Sequence, residues 1–209
     1  MSTDILFATV DLPLLDKQRA RDDIMALDNR LWFWDPYRFT SMLPLMTKGG
    51  VTGAKGASNA RGGLFEWTDY TPKSVRDWFD GVVFPWMGMR TRISALLTKP
   101  QFANGEHIDC DPVKMGTQQH KFRVVLHGRT DTLYFITANG KVAAPNTKSC
   151  FIMDGSWPHG MFNDTDDYKL TLAVGAPWNG NQLYTNVEVL QRRSDYTIPA
   201  DYKKYFNTK

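Results

Sequence analysis

The stretch GEHIDCD (105–111) places one imidazole and three acids within seven residues. If this stretch is extended, His107 and Asp109 point to the same face, because side chains alternate along a strand. An imidazole nitrogen beside a carboxylate oxygen forms half of a two-histidine, one-carboxylate metal site, which leaves one face of the metal open to reactants. The alternative interpretation is a solvated turn between two strands.

A second histidine that can complete such a site is His159, which lies 52 residues after His107. It belongs to the turn-rich segment DGSWPHG (154–160), which follows a short apolar strand pattern. A separation of this length accommodates several strands of a β-barrel. Asp111 has the same parity as Asp109 and is the alternative carboxylate ligand. Because Asp111 lies two positions further along, we choose Asp109.

The remaining two of the four histidines are weaker candidates for metal ligands. Both belong to the strand pattern HKFRVVLH (120–127). His120 shares its face with apolar residues, whereas His127 precedes a Gly-Arg turn and is expected at a rim. The sequence leaves the roles of both open.

Two cations interrupt apolar strand patterns. Lys169 precedes the run LTLAV (170–174), where a lone cation either extends to solvent or points inward and binds an anion. Arg123 lies within 120–127, where a guanidinium that faces the interior is suited to a carboxylate. An exposed arginine on the outer face of the sheet is the alternative for Arg123.

The elements that must position these residues fall into two groups. The first 90 residues of the chain predict helices over 14–30 and 72–88 and a flexible glycine-rich loop over 49–63. From residue 90 onward, short β-branched and aromatic runs separated by turn formers predict strands; they cover 92–98, 121–128, 132–137, 149–155, 168–178 and 183–191. We therefore predict a mainly β protein with N-terminal helices, built as a barrel or jelly roll.

Composition narrows the class of protein. A chain of 209 residues with 42% apolar residues is expected to form one sizeable domain, and a net charge of +3 argues against a nucleic-acid partner. The N-terminus has no signal-peptide pattern and no apolar run long enough to span a membrane. We therefore expect a cytoplasmic protein in which Cys110 and Cys150 are reduced thiols.

Taken together, these motifs resemble the Fe(II)- and 2-oxoglutarate-dependent oxygenases, and within them the aspartyl/asparaginyl β-hydroxylase-like group. The resemblance covers about residues 90–178, and the first 90 residues show none of it. The segments that carry it are RISALLT (92–98), HID (107–109), RVVL (123–126) and DGSWPHGMFNDTDDYKLTLAV (154–174).

The resemblance implies a double-stranded β-helix, the cupin-like barrel, in a single oxygenase domain. Residues 1–89 would support a core at 90–192, with 193–209 as an extension. His107, Asp109 and His159 would hold Fe(II), and Lys169, assisted by Arg123, would bind 2-oxoglutarate. With dioxygen, such an enzyme hydroxylates an amino acid or a residue of a peptide or protein and releases succinate and CO2.

The chain departs from the group at two positions. Many members have arginine where this chain has Lys169, and an ammonium cannot form the two-pronged contact of a guanidinium with a carboxylate. The group also often shows Arg-x-His where Arg123 is followed by two valines. Two other functions stay open: a cupin-like metalloenzyme that does not use 2-oxoglutarate, and a non-catalytic barrel that acts as a binding module. Only the 2-oxoglutarate hypothesis needs a buried cation at Lys169, and only the binding module needs no metal.

Overall fold

The computed structural model describes residues 4–36, 39–53, 64–109, 120–178 and 185–206, and over these it is mainly β. Most of the predicted loop 49–63, together with Cys110 and Asp111, lies outside the described residues. The strands are β1 (Phe7–Val10), β2 (Phe33–Asp35), β3 (Thr40–Lys48), β4 (Phe65–Trp67), β5 (Ile93–Thr98), β6 (Phe102–His107), β7 (His120–His127), β8 (Leu133–Thr137), β9 (Gly140–Ala143), β10 (Cys150–Asp154), β11 (His159–Asn163), β12 (Lys169–Trp178) and β13 (Val187–Gln191).

The α-helices that the structure describes lie in the first half of the chain. The first, Lys17–Met25, begins at an N-cap where the Asp16 carboxylate accepts a hydrogen bond from the Arg19 amide at 3.0 Å. A second helical segment runs through Lys73–Trp78, a π-helical turn at Phe79–Val83, and Phe84–Met87. It ends at Gly88, whose φ of 70° is a left-handed C-cap conformation that favours glycine. Within the described ranges, no helix has the length and apolarity needed to cross a bilayer.

The short 3-10 helices complete the described elements. They cover Asn29–Leu31, Arg193–Asp195 and Tyr202–Tyr205.

Eight consecutive strands, β5 to β12, have the topology of a jelly roll. The antiparallel pairs are β5 with β12, β6 with β11, β7 with β10, and β8 with β9. This is the pairing of one long two-stranded ribbon whose successive pairs are distributed over two sheets. The larger sheet has the order β13-β1-β10-β7-β12-β5-β3-β2, with β4 beside β3, and the smaller sheet has the order β6-β11-β8-β9. Among the named strands that the structure describes, none pairs across the two sheets, so each sheet is open.

The chain packs in three layers. Helix residues such as Ile24 and Phe79 join one apolar cluster with Leu43, Val124 and Leu172, which project from the outer face of the larger sheet. A second cluster fills part of the space between the two sheets and combines residues of β1, β7 and β10 with residues of β8; it includes Phe7, Val125, Leu133, Phe135, Phe151 and Met153. The alternation along β7 therefore sends Val124 towards the helices and Val125 towards the smaller sheet.

Four strands of the first third, β1 to β4, were not predicted from the sequence. The longest is β3, TSMLPLMTK, in which six successive residues from Met42 to Thr47 are buried. A strand covered on both faces shows no polar alternation, and a proline in its middle argues against a strand. The structure accommodates Pro44 at an irregularity in the β3–β5 register.

Candidate metal centre

Strand pairing brings the two predicted histidine ligands together. His107 ends β6 and His159 begins β11, and the two are direct partners in the antiparallel register. Directly opposed side chains are close neighbours on one face of a sheet, and the two imidazole centroids lie 4.5 Å apart at an angle of 56°. Both histidines are buried.

Each imidazole is oriented by a backbone carbonyl two residues before it. The Nδ1 atom of His107 lies 2.7 Å from the carbonyl oxygen of Gly105, and the Nδ1 atom of His159 lies 2.8 Å from that of Trp157. A carbonyl only accepts, so each Nδ1 carries the hydrogen and donates it. The Nε2 lone pair of both rings is then available to a metal, which is the arrangement in which a histidine ligand is usually held.

Asp109 brings the third ligand atom into the same space. Its Oδ1 lies 3.7 Å from His107 Nε2, and its Oδ2 lies 3.9 Å from His159 Nε2. All three ligand atoms lie within 4.8 Å of one another. The backbone amide of Asp109 donates to the carbonyl of Gly155 at 2.9 Å, and the amide of the preceding Ile108 donates to that of Tyr205 at 2.9 Å. These bonds anchor the loop that carries Asp109.

Burial keeps the second histidine neutral. The pKa of His159 is lowered to about 3, mainly by burial and also by the neighbouring His107, while Asp109 acts in the opposite direction. A neutral imidazole at neutral pH is the form that coordinates metals.

The donor set fits a divalent transition metal. Two imidazole nitrogens and one carboxylate form the set that holds non-haem Fe(II) with open positions for other ligands. His107, Asp109 and His159 are the residues that would hold such an ion. Asp111, the alternative carboxylate, lies outside the described residues.

A pocket between the two sheets adjoins this centre. Its walls come from β5, β7, β10 and β12 on one side and from β6, β8 and β11 on the other. Its lining residues are Leu96, Asn104, His107, Arg123, Leu133, Phe151, Met153, His159, Gly160, Met161, Lys169 and Thr171. The pocket therefore combines apolar side chains with a similar number of polar residues, among them the two histidines and two cations.

Lys169 points into this pocket rather than to solvent. It is 2% exposed, and its Nζ donates a hydrogen bond to Oγ1 of Thr132. Burial lowers the pKa of Lys169 from its ordinary value of 10.5 to about 7. Gly128, with a φ of 95°, makes room for it, because a Cβ there would lie 3.0 Å from the Lys169 Cγ. The lysine is a buried cation that an anionic ligand would keep protonated.

Arg123 also faces the space between the sheets, not the outer face of the larger sheet. Its Nη1 donates to the carbonyl oxygens of Phe122 and Val174, both at 3.1 Å. Its Nη2 lies 3.9 Å from Asp109 Oδ2. The guanidinium therefore lies beside the proposed metal ligands.

The other two histidines lie elsewhere. His120 is fully buried, and burial lowers its pKa. His127 lies at the rim, where its Nε2 is 2.8 Å from a carboxylate oxygen of Asp167. Neither belongs to the group of ligand atoms around Asp109.

Three polar residues of the pocket region were not predicted from the sequence. Thr132 is the hydrogen-bond partner of Lys169, and Asn104 and Thr171 line the pocket. The Oδ1 of Asn104 and the Oγ1 of Thr171 are buried and make no hydrogen bond within the described ranges. Parity with Lys169 was the available signal for Thr171, whereas nothing local marks Thr132 or Asn104.

Comparison with known proteins found no matching family model and no matching curated protein. Among solved structures, the chain is similar to a prolyl-4-hydroxylase from Pseudomonas putida, at 13% identity over 81% of this chain and 91% of that chain, with a TM-score of 0.47. A 2OG-Fe(II) oxygenase family oxidoreductase from Burkholderia pseudomallei matches at 10% identity over 76% of each chain, with a TM-score of 0.48. The non-heme alpha ketoglutarate dependent epimerase SnoN from nogalamycin biosynthesis matches at 12% identity over 95% of this chain and 92% of that chain, with a TM-score of 0.46. These likenesses are distant.

Proposed function

We propose that this protein is a non-haem Fe(II)- and 2-oxoglutarate-dependent dioxygenase that hydroxylates an amino acid or a residue of a peptide or protein. The observation that carries the proposal is the combination of two features in one space between the sheets. One is the set of three converging ligand atoms from His107, Asp109 and His159. The other is the buried cation of Lys169 in the pocket that the two histidines line.

The residues divide the work by their chemistry. The two Nε2 atoms and the Asp109 carboxylate hold the metal, and the carbonyls of Gly105 and Trp157 keep both imidazoles in the required tautomer. When bound, Fe(II) supplies the oxidation by dioxygen that is coupled to conversion of 2-oxoglutarate to succinate and CO2. The protein supplies orientation, charge and exclusion of water around that chemistry.

The pocket has the polarity that a dicarboxylate co-substrate needs. The Lys169 ammonium offers donors for the carboxylate that is remote from the metal, and the Thr132 hydroxyl positions this ammonium by accepting a hydrogen bond from it. Leu96, Leu133 and Met161 provide apolar surface for a short methylene chain. Because an ammonium is a point charge, Lys169 neutralises this carboxylate without imposing the two-pronged geometry of an arginine.

Binding is tested anaerobically with the full chain. Addition of Fe(II) and then 2-oxoglutarate should produce a weak visible charge-transfer band, and admission of dioxygen should yield succinate. We expect His107→Ala, Asp109→Ala and His159→Ala each to abolish both signals. His127→Ala is the matched control, because this histidine bonds Asp167 at the rim, and it should leave both signals intact.

The variants also separate the proposed function from its alternatives. Lys169→Ala should weaken 2-oxoglutarate binding by about 10- to 100-fold, the range expected for loss of a charge-assisted hydrogen bond, while Fe(II) still binds. Bound metal without any effect of 2-oxoglutarate would instead indicate a cupin-like metalloenzyme. Well-folded protein that binds no metal would indicate a non-catalytic barrel and would refute the proposal.

A further inference from the structure

A second pocket adjoins the metal centre on the Asp109 side, and basic side chains dominate its charged lining. We call it the basic pocket and define it by Arg92, Ser94, Asp109, Lys121 and Arg123. Among the described residues that line it, three of the charged ones are basic and one is acidic, and that one is the carboxylate already assigned to the metal. A site with this balance attracts an anion close to the proposed metal position.

Neighbouring strands of the larger sheet build the basic pocket by register. Ser94 on β5 pairs with Ala173 on β12, and Ala173 in turn pairs with Arg123 on β7. Arg92 and Lys121 lie two positions from Ser94 and Arg123, so they project from the same face of the sheet. The positive charges thus come from β7 and from Arg92, which immediately precedes β5, on the two sides of β12.

Strand β12, which lies between β5 and β7, presents small residues to the basic pocket. Ala173 and Gly175 of β12 line it, and they leave space between the flanking side chains. The amide of Gly175 donates to the carbonyl of Arg92 at 2.7 Å. A Cβ at position 175 would lie 3.3 Å from the Arg92 Cβ and 3.5 Å from its Nε. Glycine at this position therefore lets the arginine side chain lie close across β12.

Lys121 is positioned in a similar way on the other side. A Cβ at Gly155 would lie 3.0 Å from both Cγ and Cε of Lys121 and 3.3 Å from the Cβ of Asp109. The aliphatic part of the Lys121 side chain and the loop that carries Asp109 therefore both pack against Gly155. Gly155, whose carbonyl accepts a hydrogen bond from the Asp109 amide, therefore brings Lys121 next to Asp109.

Ser94 provides an independent indication of a ligand. It is 1% exposed and lines the basic pocket. Its Oγ is buried and has no hydrogen-bond partner in the part of the chain that the structure describes. A buried hydroxyl without a partner is costly, whereas a bound oxyanion would accept its hydrogen.

The basic pocket is continuous with the pocket that holds Lys169. Leu96 and Arg123 line both, so the two share a wall. Lys169, Thr171, Ala173 and Gly175 alternate along one face of β12 and mark the path from one pocket to the other. Cationic side chains therefore lie at both ends of this path, Lys169 at one end and those of the basic pocket at the other. The three proposed metal ligands line the two pockets.

We propose that the basic pocket binds the carboxylate or phosphate group of a small-molecule substrate. A guanidinium can donate two parallel hydrogen bonds to two oxygens of a carboxylate or a phosphate, and the Ser94 hydroxyl adds a neutral donor. The assignment of this molecule as substrate rests on the proposed function, whereas the anion site does not. An internal residue of a peptide has no free carboxylate at its backbone, so the proposal favours a free amino acid or another small acid.

The anion site is tested with inorganic phosphate as the probe. Titration of the full-length Lys169→Met variant, followed by ³¹P line broadening, excludes the cation of the neighbouring pocket from the signal. We expect binding in this background, weakened at least about tenfold by added Arg92→Gln or Lys121→Gln. Ser94→Ala, which removes only one hydroxyl, should weaken it less and retain the fold. Lys148→Gln, an exposed lysine paired with Asp11, is the matched control and should change nothing. Absence of phosphate binding, or binding unaffected by these variants, would overturn the proposal.

The substrate class is tested by succinate release. Free L-amino acids, their carboxamides and small phosphate monoesters are compared in the presence of Fe(II), 2-oxoglutarate and dioxygen. We expect an acid or a phosphate ester to stimulate succinate release and the matching uncharged carboxamide not to do so. Arg92→Gln should raise the KM of the active compound at least about tenfold. Equal stimulation by acids and carboxamides would overturn the substrate assignment. Charge-dependent phosphate binding in a chain that makes no succinate would support the anion site and refute the proposed function.

Discussion

Replacing the buried Lys169 with methionine should stabilise the protein when neither metal nor co-substrate is bound. Methionine keeps the unbranched stem that packs against Gly128 but carries no charge. The change removes the group whose pKa burial lowers from 10.5 to about 7. Since a tenfold change in proton affinity is worth about 1.4 kcal/mol, burial of this amine costs about 4 kcal/mol at pH 7.

Part of that gain is lost with the hydrogen bond to Thr132. Its hydroxyl keeps a second partner, the carbonyl of Arg129 at 3.2 Å, so loss of the lysine should cost only about 1 kcal/mol. We therefore expect Lys169→Met to raise the free energy of unfolding by about 3 kcal/mol at pH 7.

The direction in which stability changes with pH follows from the folded and unfolded pKa values of Lys169. Between the folded pKa near 7 and the unfolded value of 10.5, the unfolded chain binds more protons at this residue than the folded chain does. The stability of the wild-type protein should therefore rise with pH across this window. The advantage of the variant should fall to about 1 kcal/mol at pH 9.

Urea unfolding followed by circular dichroism at pH 7 and pH 9 measures both quantities. Lys148→Met, at an exposed lysine, is the control and should show no such pH-dependent gain. In wild-type protein, 2-oxoglutarate should raise the thermal midpoint, and this increase should be smaller in Lys169→Met because the anion loses its partner. A variant less stable than wild type at pH 7, or a difference that does not change with pH, would refute the reasoning.

Two further predictions concern groups outside the pockets. Asp154→Asn should lower the free energy of unfolding in urea by about 2–3 kcal/mol, because the fully buried carboxylate accepts hydrogen bonds from Ser156 and Arg193. Asp201→Asn, at an exposed position, is the control and should change this free energy little. Equal effects of the two substitutions would contradict the role of Asp154. Burial raises the pKa of the Cys150 thiol to about 12, so peptide mapping after alkylation at pH 8 should find far less label on Cys150 in native than in urea-unfolded protein. Equal labelling in the two states would show that the thiol is accessible.

The interpretation of the site from local sequence depended on parity. His107 and Asp109 are two residues apart, so period-two alternation predicts that both point to the same face. For Lys169, which precedes an apolar strand, two orientations stayed open, towards solvent and towards the interior. The same reasoning left Arg123 with two orientations, because alternation separates the two faces of a strand but does not say which face is inside. The helices that cover Val124 on the outer face decide that Arg123 faces the pocket.

The first third of the chain was harder to predict for a related reason. Strand β3 is buried on both sides, by the helices and by the interior between the sheets, and so it carries no alternating pattern. Pro44 in the middle of β3 also argued against a strand at this position. Short strands such as β1 and β4 gain their stability from partners distant in sequence, Phe7 opposite Met153 and Trp67 opposite Met46, which no local window contains.

The sequence by itself determined the chemistry that is available: two histidines and an aspartate as candidate metal ligands, and a lysine inside an apolar strand. It could do so because residue type and period-two alternation are local properties. Only the tertiary structure decided that His107 lies opposite His159, that Thr132 meets Lys169, and that Arg92, Ser94 and Lys121 line one pocket beside Asp109. Those relations depend on strand register, and register is set by packing between segments far apart in the chain.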